Sequence, residues 1–210
     1  MAGVKGQTQQ RGVDRRAAIV DAAFALFSET GFRSGGLVAL AERVGVTGPA
    51  ILHHFGSKDN LLLAVIEKAD RGYSAMSDTV YEPGGLETIR RLRLIAVTLE
   101  ARPNLAALHL RLEVEHLLGD TATTRDYFLK RARASRRMLA TAVAVGQDRG
   151  EIDRDLDPRA LGEEMHAFID GASRAWLVDR QLSIVAMVDG YLDALVARIA
   201  VTPPTRVRPT

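Results

Sequence analysis

Two short helices joined by a tight turn are predicted between residues 36 and 55, and this segment constrains the fold more than any other part of the 210-residue chain. Apolar residues recur at spacings of three and four along the first helix: Leu37, Leu40, Ala41 and Val44. Gly45 suits the end of that helix, because glycine adopts the left-handed backbone conformation without a steric penalty. Thr47 and Pro49 suit the start of the next helix, as an N-cap and a first-turn proline.

The second helix is predicted to end near Phe55 and to have one apolar face. Ile51 and Phe55 lie four residues apart and are expected to hold the helix against the core. The remaining positions are too small or too polar for a core: Gly48, Ala50, Leu52, His53 and His54. A short capped helix that is held on one side, with its N-terminal end free, is typical of the recognition helix of a helix-turn-helix.

The residues around this turn follow the pattern of a known family. The matching positions are Gly31, Phe32, Leu40, Ala41, Gly45, Val46, Thr47, Ile51, His54, Phe55, Ser57, Lys58 and Leu61. On these residues the segment resembles the DNA-binding domain of the TetR family of bacterial transcriptional regulators, clearly over residues 13–70 and loosely beyond. Two positions depart from the family pattern: Gly36 stands where Thr or Ser is usual, and Leu52 where Tyr is usual. Two side-chain contacts to the DNA backbone are therefore not expected here.

The resemblance implies a set of DNA-contacting residues. Phosphate contacts are expected from Arg15, Arg33, Thr47 and Lys58. The residues expected to meet base edges are Gly48, Pro49, Ala50, Leu52 and His53. The first three offer only backbone and small apolar contacts, so more than usual is left to DNA shape. Because Lys58 follows Ser57, a candidate N-cap, Lys58 and the helix amides would point at the same phosphate, the alternative being a solvated lysine.

Charge and composition add weaker constraints. Residues 1–58 contain seven Lys and Arg against four Asp and Glu, whereas the rest of the chain contains 21 against 22. This asymmetry favours DNA binding by the N-terminal part, although ordinary surface composition also produces a difference of this size. The chain has no cysteine, which excludes disulfides, thiolate zinc sites and cysteine nucleophiles. No apolar run reaches bilayer length and no hydrophobic signal core is present, so a cytoplasmic location is expected.

The rest of the chain also favours helices, so the predicted fold class is all-α, with a three-helix DNA-binding domain followed by a larger helical domain. The further helices are predicted at about residues 14–30, 58 into the seventies, 85–101, 104–118, 123–149, 158–179 and 182–200. The predicted organisation is a disordered arm over 1–12, a DNA-binding domain over 13–73 with its motif at 36–55, a ligand-binding and dimerisation domain over 74–201, and a disordered tail over 202–210.

Two C-terminal helices have wide apolar faces. The resemblance implies that they form a four-helix bundle with a second copy, through Leu161, Met165, Trp176, Val188, Tyr191, Leu192, Leu195 and Ile199. The alternative is that both faces belong to the core of their own domain, which periodicity alone favours. The dimer is predicted from function, because one recognition helix reads too few bases and a two-fold pair reads two half-sites.

The resemblance also implies a chamber for a small-molecule effector among the middle helices. The residues placed near it are Leu94, Val97, Leu108, His109, Leu112, Glu113, His116, Phe128, Met138, Met165 and Phe168. His109, Glu113 and His116 share one helix face, a spacing that can hold a metal or a ligand carboxylate, although most such rows face solvent or pair within the core. A second polar row consists of His166, Asp170 and Arg174.

No signature of catalysis stands out: the chain has no glycine-rich phosphate loop, no G-x-S-x-G and no H-E-x-x-H. The predicted function is that of a dimeric transcriptional regulator, a repressor released from a palindromic operator by an unknown small molecule, with no cofactor and no bound metal. Two alternatives stay open at this point. One is a helical metal-binding protein or enzyme that uses His109, Glu113 and His116, and the other is a DNA-binding protein without an effector.

Overall fold

The computed structural model describes residues 2–30, 36–118 and 122–201, and the secondary structure of these ranges is almost entirely helical. The helices are α1 Ala2–Thr30, α2 Leu37–Val44, α3 Gly48–Phe55, α4 Lys58–Tyr81, α5 Gly85–Arg91, α6 Arg93–Ala101, α7 Pro103–Leu118, α8 Ala122–Asp148, α9 Pro158–Val178 and α10 Ile184–Ile199. One isolated antiparallel bridge joins Ile152 and Ala200. The all-α fold class predicted from the sequence is confirmed.

Two predicted boundaries differ from the observed ones. Helix α1 begins at Ala2 instead of Asp14, so the arm predicted over residues 1–12 is helical from its second residue. Once a helix is nucleated, each added residue gains a backbone hydrogen bond, which local composition does not reveal. The helix predicted over residues 85–101 is interrupted at Leu92, whose N–H bonds both to Thr88 O and to Ile89 O. The predicted tail, residues 202–210, lies outside the described residues.

The chain forms two compact units that are not continuous in sequence. The first consists of Met1–Ser74 and Arg102–Leu129, and the second of Ala75–Ala101 and Lys130–Thr210. Because α7 and the first part of α8 belong to the unit of the N-terminal helices, packing does not place a single boundary at residue 74. The division there into DNA-binding and ligand-binding domains stays a functional prediction.

The first unit has a core that joins the turn-forming helices to α1 and α4. Its most buried members include Ile19, Ala23 and Phe27 of α1, Leu40 of α2, Ile51 and Phe55 of α3, and Leu61 and Val65 of α4. Leu108 and Phe128 complete it from α7 and α8. Burying one apolar face of each short helix is what keeps α2 and α3 folded, since helices of eight residues are not stable alone in water.

The second unit is built around the inner faces of α9 and α10. Helix α10 packs against α5, α6 and α9, and its inward residues are Ile184, Val188, Leu192, Leu195 and Ile199. Helices α8 and α9 approach closely at Gly162, where a Cβ would lie 2.9 Å from both Arg136 O and Ala140 N. Within the described ranges, no helix is both long enough and apolar enough to cross a membrane.

The close approach at Gly162 yields a stability prediction. Gly162→Ala should lower the free energy of unfolding by about 1–3 kcal/mol, because the new methyl group would overlap backbone atoms that cannot rotate away. The same substitution at Gly12 of α1, where no atom lies within 4 Å of the added Cβ, should stabilise by up to about 1 kcal/mol through helix propensity. Urea unfolding followed by circular dichroism measures both changes. Equal effects of the two variants would contradict the close α8–α9 contact.

Candidate nucleic-acid interface

The turn between α2 and α3 is fixed by backbone hydrogen bonds. Gly45 ends α2 with φ 67° and ψ 38°, in the left-handed region that favours glycine. Its N–H bonds to Glu42 O and the N–H of Val46 to Ala41 O, at 3.3 and 3.0 Å. These bonds satisfy the last carbonyl groups of α2 and reverse the chain within three residues. The end of the first helix at Gly45, as predicted, is confirmed.

The first turn of α3 is capped and faces outward. Thr47 is the N-cap, and its Oγ1 accepts a hydrogen bond from the N–H of Ala50 at 3.3 Å. The Thr47 side chain is exposed, and its hydroxyl can still donate a hydrogen bond to a phosphate oxygen. Pro49 lies in the first turn, where its missing N–H leaves no bond unmade. Predictions about the Thr47 cap and the Pro49 position are both confirmed.

Helix α3 is held from one side. Ile51 is fully buried and Phe55 is 6% exposed. The guanidinium group of Arg16 on α1 lies over the Phe55 ring, 4.8 Å from its centroid. On the opposite side, His53 is exposed and Leu52 is half-buried. The helix therefore presents Pro49 and His53 to the outside while its apolar face is fixed to the core.

The junction between α3 and α4 is short and internally bonded. Gly56 has φ 77°, and Ser57 caps α4 by accepting a hydrogen bond from the N–H of Asn60 at 3.1 Å. The side-chain amide of Asn60 donates to Phe55 O at 3.0 Å. Asn60 thus ties the last residue of α3 to the first turn of α4. The sequence prediction missed it, although a hydrogen-bonding residue three positions after an N-cap is a signal that could have found it.

The basic residues near these helices divide into two groups. Arg15 is exposed and Lys58, the first residue of α4, is half-buried, whereas Arg33 lies outside the described residues. Arg43 of α2 pairs with Glu29 at 3.2 Å, and Lys68 of α4 pairs with Asp21. The charges of Arg43 and Lys68 are therefore partly neutralised within the unit.

The residues predicted to line an effector chamber are spread over both units. Leu108 of α7 and Phe128 of α8 belong to the core of the first unit. His109 and Glu113 also lie on α7. In the second unit, Met165 is fully buried, Leu94 is half-buried and Val97 is 42% exposed. The side chains of Leu112 and His116 lie outside the described ones. Met138 is the predicted residue that lines a groove described below.

The polar row on α7 is only partly described, because it includes His116. His109 Nε2 lies 3.4 Å from Asp70 Oδ1 of α4, with both side chains largely buried. Among the described residues, no group of three or more His, Asp and Glu side chains is placed to hold a metal ion. In the second predicted row, His166 faces Asp170 at 3.7 Å and Ser135 at 3.4 Å. These contacts favour pairing within the protein, which was the alternative for both rows.

The residues predicted for a dimer interface are covered by the chain itself. Those buried in the isolated chain are Leu161, Met165, Trp176, Val188, Leu192, Leu195 and Ile199. Such side chains offer almost no area to a partner, so this assignment is corrected. The alternative, that both apolar faces belong to the domain's own core, fits the structure. Periodicity shows that a helix has an apolar face but not which chain covers it.

Tyr191, the remaining residue of that set, is also engaged within the chain. Its ring stacks on Phe168 with centroids 3.9 Å apart, and its hydroxyl donates to Glu164 Oε1 at 3.1 Å. Arg198 donates to both oxygens of the same carboxylate at 2.7 Å. Burial, together with the Glu164 charge, raises the pKa of Tyr191 above its ordinary value. Phe168, predicted as a ligand residue, is thus the packing partner of Tyr191.

Comparisons with known proteins agree with this geometry. A sequence model of the bacterial regulatory proteins of the tetR family matches residues 19–65, which include α2, α3 and the start of α4. The chain is 25% identical to the HTH-type transcriptional regulator TtgR of Pseudomonas putida over 209 residues, 95% of this chain and 98% of that protein. It is 27% identical to the HTH-type transcriptional repressor AcnR of Corynebacterium efficiens over 164 residues, 78% of this chain and 82% of that protein.

A solved structure shares the fold over nearly the whole length. It is a transcriptional regulator from Saccharomonospora viridis in complex with choline, with a TM-score of 0.76 and 20% identity, covering 90% of this chain and 100% of that chain. Residues 19–65 therefore form a DNA-binding domain of the TetR family of bacterial regulators. The protein is a DNA-binding transcriptional regulator whose helix-turn-helix is formed by α2 and α3.

The Asn60 contact gives a prediction for the recognition helix α3 of this TetR-family protein. Asn60→Ala should make the amide hydrogens in the last turn of α3 exchange roughly fivefold faster, because one hydrogen bond is worth about 1 kcal/mol. Glu67→Ala, at an exposed position of the same helix α4, should leave these rates unchanged. Hydrogen exchange followed by NMR makes the measurement. Unchanged rates in Asn60→Ala would show that the bond does not hold α3.

Proposed function

We propose that this TetR-family protein is a dimeric repressor in the cytoplasm, released from a palindromic operator by a small-molecule effector and acting without catalysis. The observation that carries the proposal is the geometry of α3, which is capped, exposed at its N-terminal end and fixed to the core by Ile51 and Phe55. The relative AcnR is named a transcriptional repressor, which supports repression over activation in this proposal. Because the relatives are regulators, the alternative of a metal enzyme using His109, Glu113 and His116 is not favoured.

The proposed DNA contacts follow from exposure and capping. Thr47 would donate its free hydroxyl hydrogen to a phosphate, and Lys58 would place its charge beside the N-terminal amides of α4. Arg15 and Arg33 would add phosphate contacts in the proposal. His53 is the exposed hydrogen-bonding side chain on α3, so it would read base edges, with Leu52 against a thymine methyl group. Gly48, Pro49 and Ala50, which lack long side chains, would allow the start of α3 to approach the DNA closely.

A DNA-binding measurement tests this assignment. The full-length protein should bind the DNA upstream of its own gene saturably, with a footprint of two symmetric halves about 34–36 Å apart from centre to centre. Lys58→Ala should weaken binding to all sequences and reduce the slope of log K against log salt by about one, since one phosphate contact is lost. Arg90→Ala, an exposed cation on α5, should change neither quantity.

Two outcomes would contradict the DNA-binding proposal. Weak binding that is indifferent to sequence would oppose regulation from this operator. A Lys58→Ala variant with an unchanged salt slope and an altered sequence preference would show that Lys58 contacts bases and not phosphate.

The dimer is proposed to form through the outward faces of α9 and α10. These faces carry small exposed residues, which we call the small-residue face: Ala167 and Gly171 on α9, and Ala186, Gly190, Ala194 and Ala197 on α10. No atom of the chain lies within 4 Å of a Cβ built at Gly171 or Gly190. Small side chains allow the backbones of two helices to approach closely. A second copy is the proposed occupant, because one recognition helix reads too few bases for an operator.

Disrupting this face should separate the dimer. Gly190→Glu should convert it to monomer in sedimentation equilibrium, because paired copies would have to bury two uncompensated carboxylates, one from each chain, or lose contact. Circular dichroism of the same variant should show that its helical content is retained, so that loss of the dimer is not a result of unfolding. Ala101→Glu, an exposed position at the end of α6, should remain a dimer. A Gly190→Glu protein that stays dimeric would place the interface elsewhere.

The effector is the least specified part of the proposal. The neighbour from Saccharomonospora viridis was solved with choline, which supports a small-molecule ligand for this fold without indicating which ligand this chain takes. An effector would release the protein from the operator only to the extent that it prefers the conformation that does not bind DNA over the one that does. A protein without an effector would bind its operator with an affinity that no small molecule changes.

A further inference from the structure

A groove in the second unit lies between the turn after α4 and one face of α8. Its volume is about 590 Å³, within the range that accommodates a small organic ligand. One side is formed by residues 81–84 and the other by one face of α8 together with Arg149, which follows the helix. The α8 residues of this face are Ala134, Arg137, Met138, Thr141, Ala142 and Val145. Except for Met138, the sequence prediction did not include these residues, because the turn and the helix face are brought together only by packing.

The walls of the groove are fixed by short contacts. Gly84 has φ 66° and approaches α8 so closely that a Cβ there would lie 2.6 Å from Val145 Cγ1. Arg149 donates a hydrogen bond to Pro83 O at 2.8 Å, and the N–H of Leu86 donates to Glu151 Oε2 at 3.0 Å. The turn is therefore attached to the end of α8 by these hydrogen bonds.

The groove surface is partly polar and partly apolar. Met138 is 37% exposed, Val145 and Pro83 are half-buried, and Ala142 lies beneath them. Tyr81 closes one end, and burial raises the pKa of its phenol, which therefore stays protonated at neutral pH. An exposed methionine beside these residues offers an adaptable apolar contact to a hydrocarbon or aromatic ligand.

The rim of the groove is positive. The lining includes two arginines, Arg137 and Arg149, and one carboxylate, Glu82, and all three are exposed. Arg149 already donates to a neutral carbonyl group, whereas Arg137 has no ion-pair partner among the described residues. Arg137 lies about 16–17 Å along α8 from the last helical residue, Asp148, at 1.5 Å per residue, and Arg149 follows in the turn. A small ligand would therefore meet one of the two arginines with its charged end. Arg137 adjoins Met138, which puts a cation next to the apolar surface.

We infer that this groove binds a small amphipathic carboxylate, with its carboxylate on Arg137 and its apolar part against Met138 and Val145. Such a molecule matches both the charge of the rim and the apolar surface, and a guanidinium group binds carboxylates with two parallel hydrogen bonds. We further infer that this carboxylate is the effector, and that step rests on the proposed function. Tyr81, which lines the groove, is the last residue of α4, and Lys58 is the first residue of the same helix.

Isothermal titration of the full-length protein with octanoate and with 1-octanol tests the binding site without DNA. Octanoate should bind more tightly than 1-octanol, which lacks the charge. Arg137→Gln should weaken octanoate binding about five- to tenfold and leave 1-octanol unaffected, because only the charged hydrogen bonds are lost. Met138→Gln should weaken both ligands about threefold, since the apolar contact is shared. Both residues are exposed, so folding is expected to be retained.

A matched control separates the groove from the general charge of α8. Arg133→Gln removes an exposed cation one turn before Arg137, outside the groove lining, and should leave octanoate binding unchanged. No octanoate binding, or equal losses in Arg133→Gln and Arg137→Gln, would overturn the site. Glu82→Gln should strengthen octanoate binding, because it removes a like charge from the rim.

The regulatory consequence is measured separately. Octanoate should reduce operator binding by the wild-type protein, and Arg137→Gln should need about five- to tenfold more octanoate for the same reduction. Octanoate binding that depends on Arg137 but leaves operator affinity unchanged would overturn the effector role and leave the site standing. Failure of the ligand-free protein to bind any operator would instead contradict the proposed function.

Discussion

The burial of Phe55 and Ile51 is the interaction on which the DNA-reading part of this protein depends. Helix α3 has eight residues, too few to be stable alone in water, so its structure is maintained by packing. Phe55 makes three kinds of contact. Its side chain is buried in the core, its ring lies under the Arg16 guanidinium group, and its carbonyl oxygen accepts a hydrogen bond from Asn60. The position of α3 is thus fixed by α1 and α4.

The same contacts determine where α4 begins. Gly56 and Ser57 turn the chain directly after Phe55, and the helix that follows runs from Lys58 to Tyr81. Its first turn belongs to the unit of the helix-turn-helix, and its last turn belongs to the other unit. A helix transmits a displacement along its axis because every residue is bonded to its neighbours four positions away. The ligand proposed beside Tyr81 would lie at the last residue of the helix whose first residue carries the proposed phosphate contact.

Local features of the fold were predictable, and long-range ones were not. Gly45, Thr47 and Ser57 act through backbone bonds within three or four residues, so their sequence neighbours suffice to assign them. The inward faces of α9 and α10 were recognised as apolar but assigned to a second chain, since periodicity does not identify the covering surface. The groove joins residues more than fifty positions apart, and Asn60 acts on a carbonyl group that no side-chain pattern reveals. The sequence alone therefore predicted the ends and the buried face of α3 better than it predicted the residues of the proposed effector site.

The surroundings of the glycines on α9 and α10 distinguish a helix surface that the chain itself covers from one that is open. Gly162 and Gly171 lie on the same helix α9, and each lowers its helical stability by about 1 kcal/mol relative to alanine. At Gly162 the chain itself accounts for this cost, because α8 crosses too closely for a methyl group. At Gly171, and at Gly190 on α10, no atom of the chain lies near the missing Cβ. A close approach by another backbone is a physical reason for glycine at such exposed helical positions, and a second copy using the same two helices would supply it. The apolar inner faces then stabilise the unit, while the small outer faces would be the surface of the proposed association.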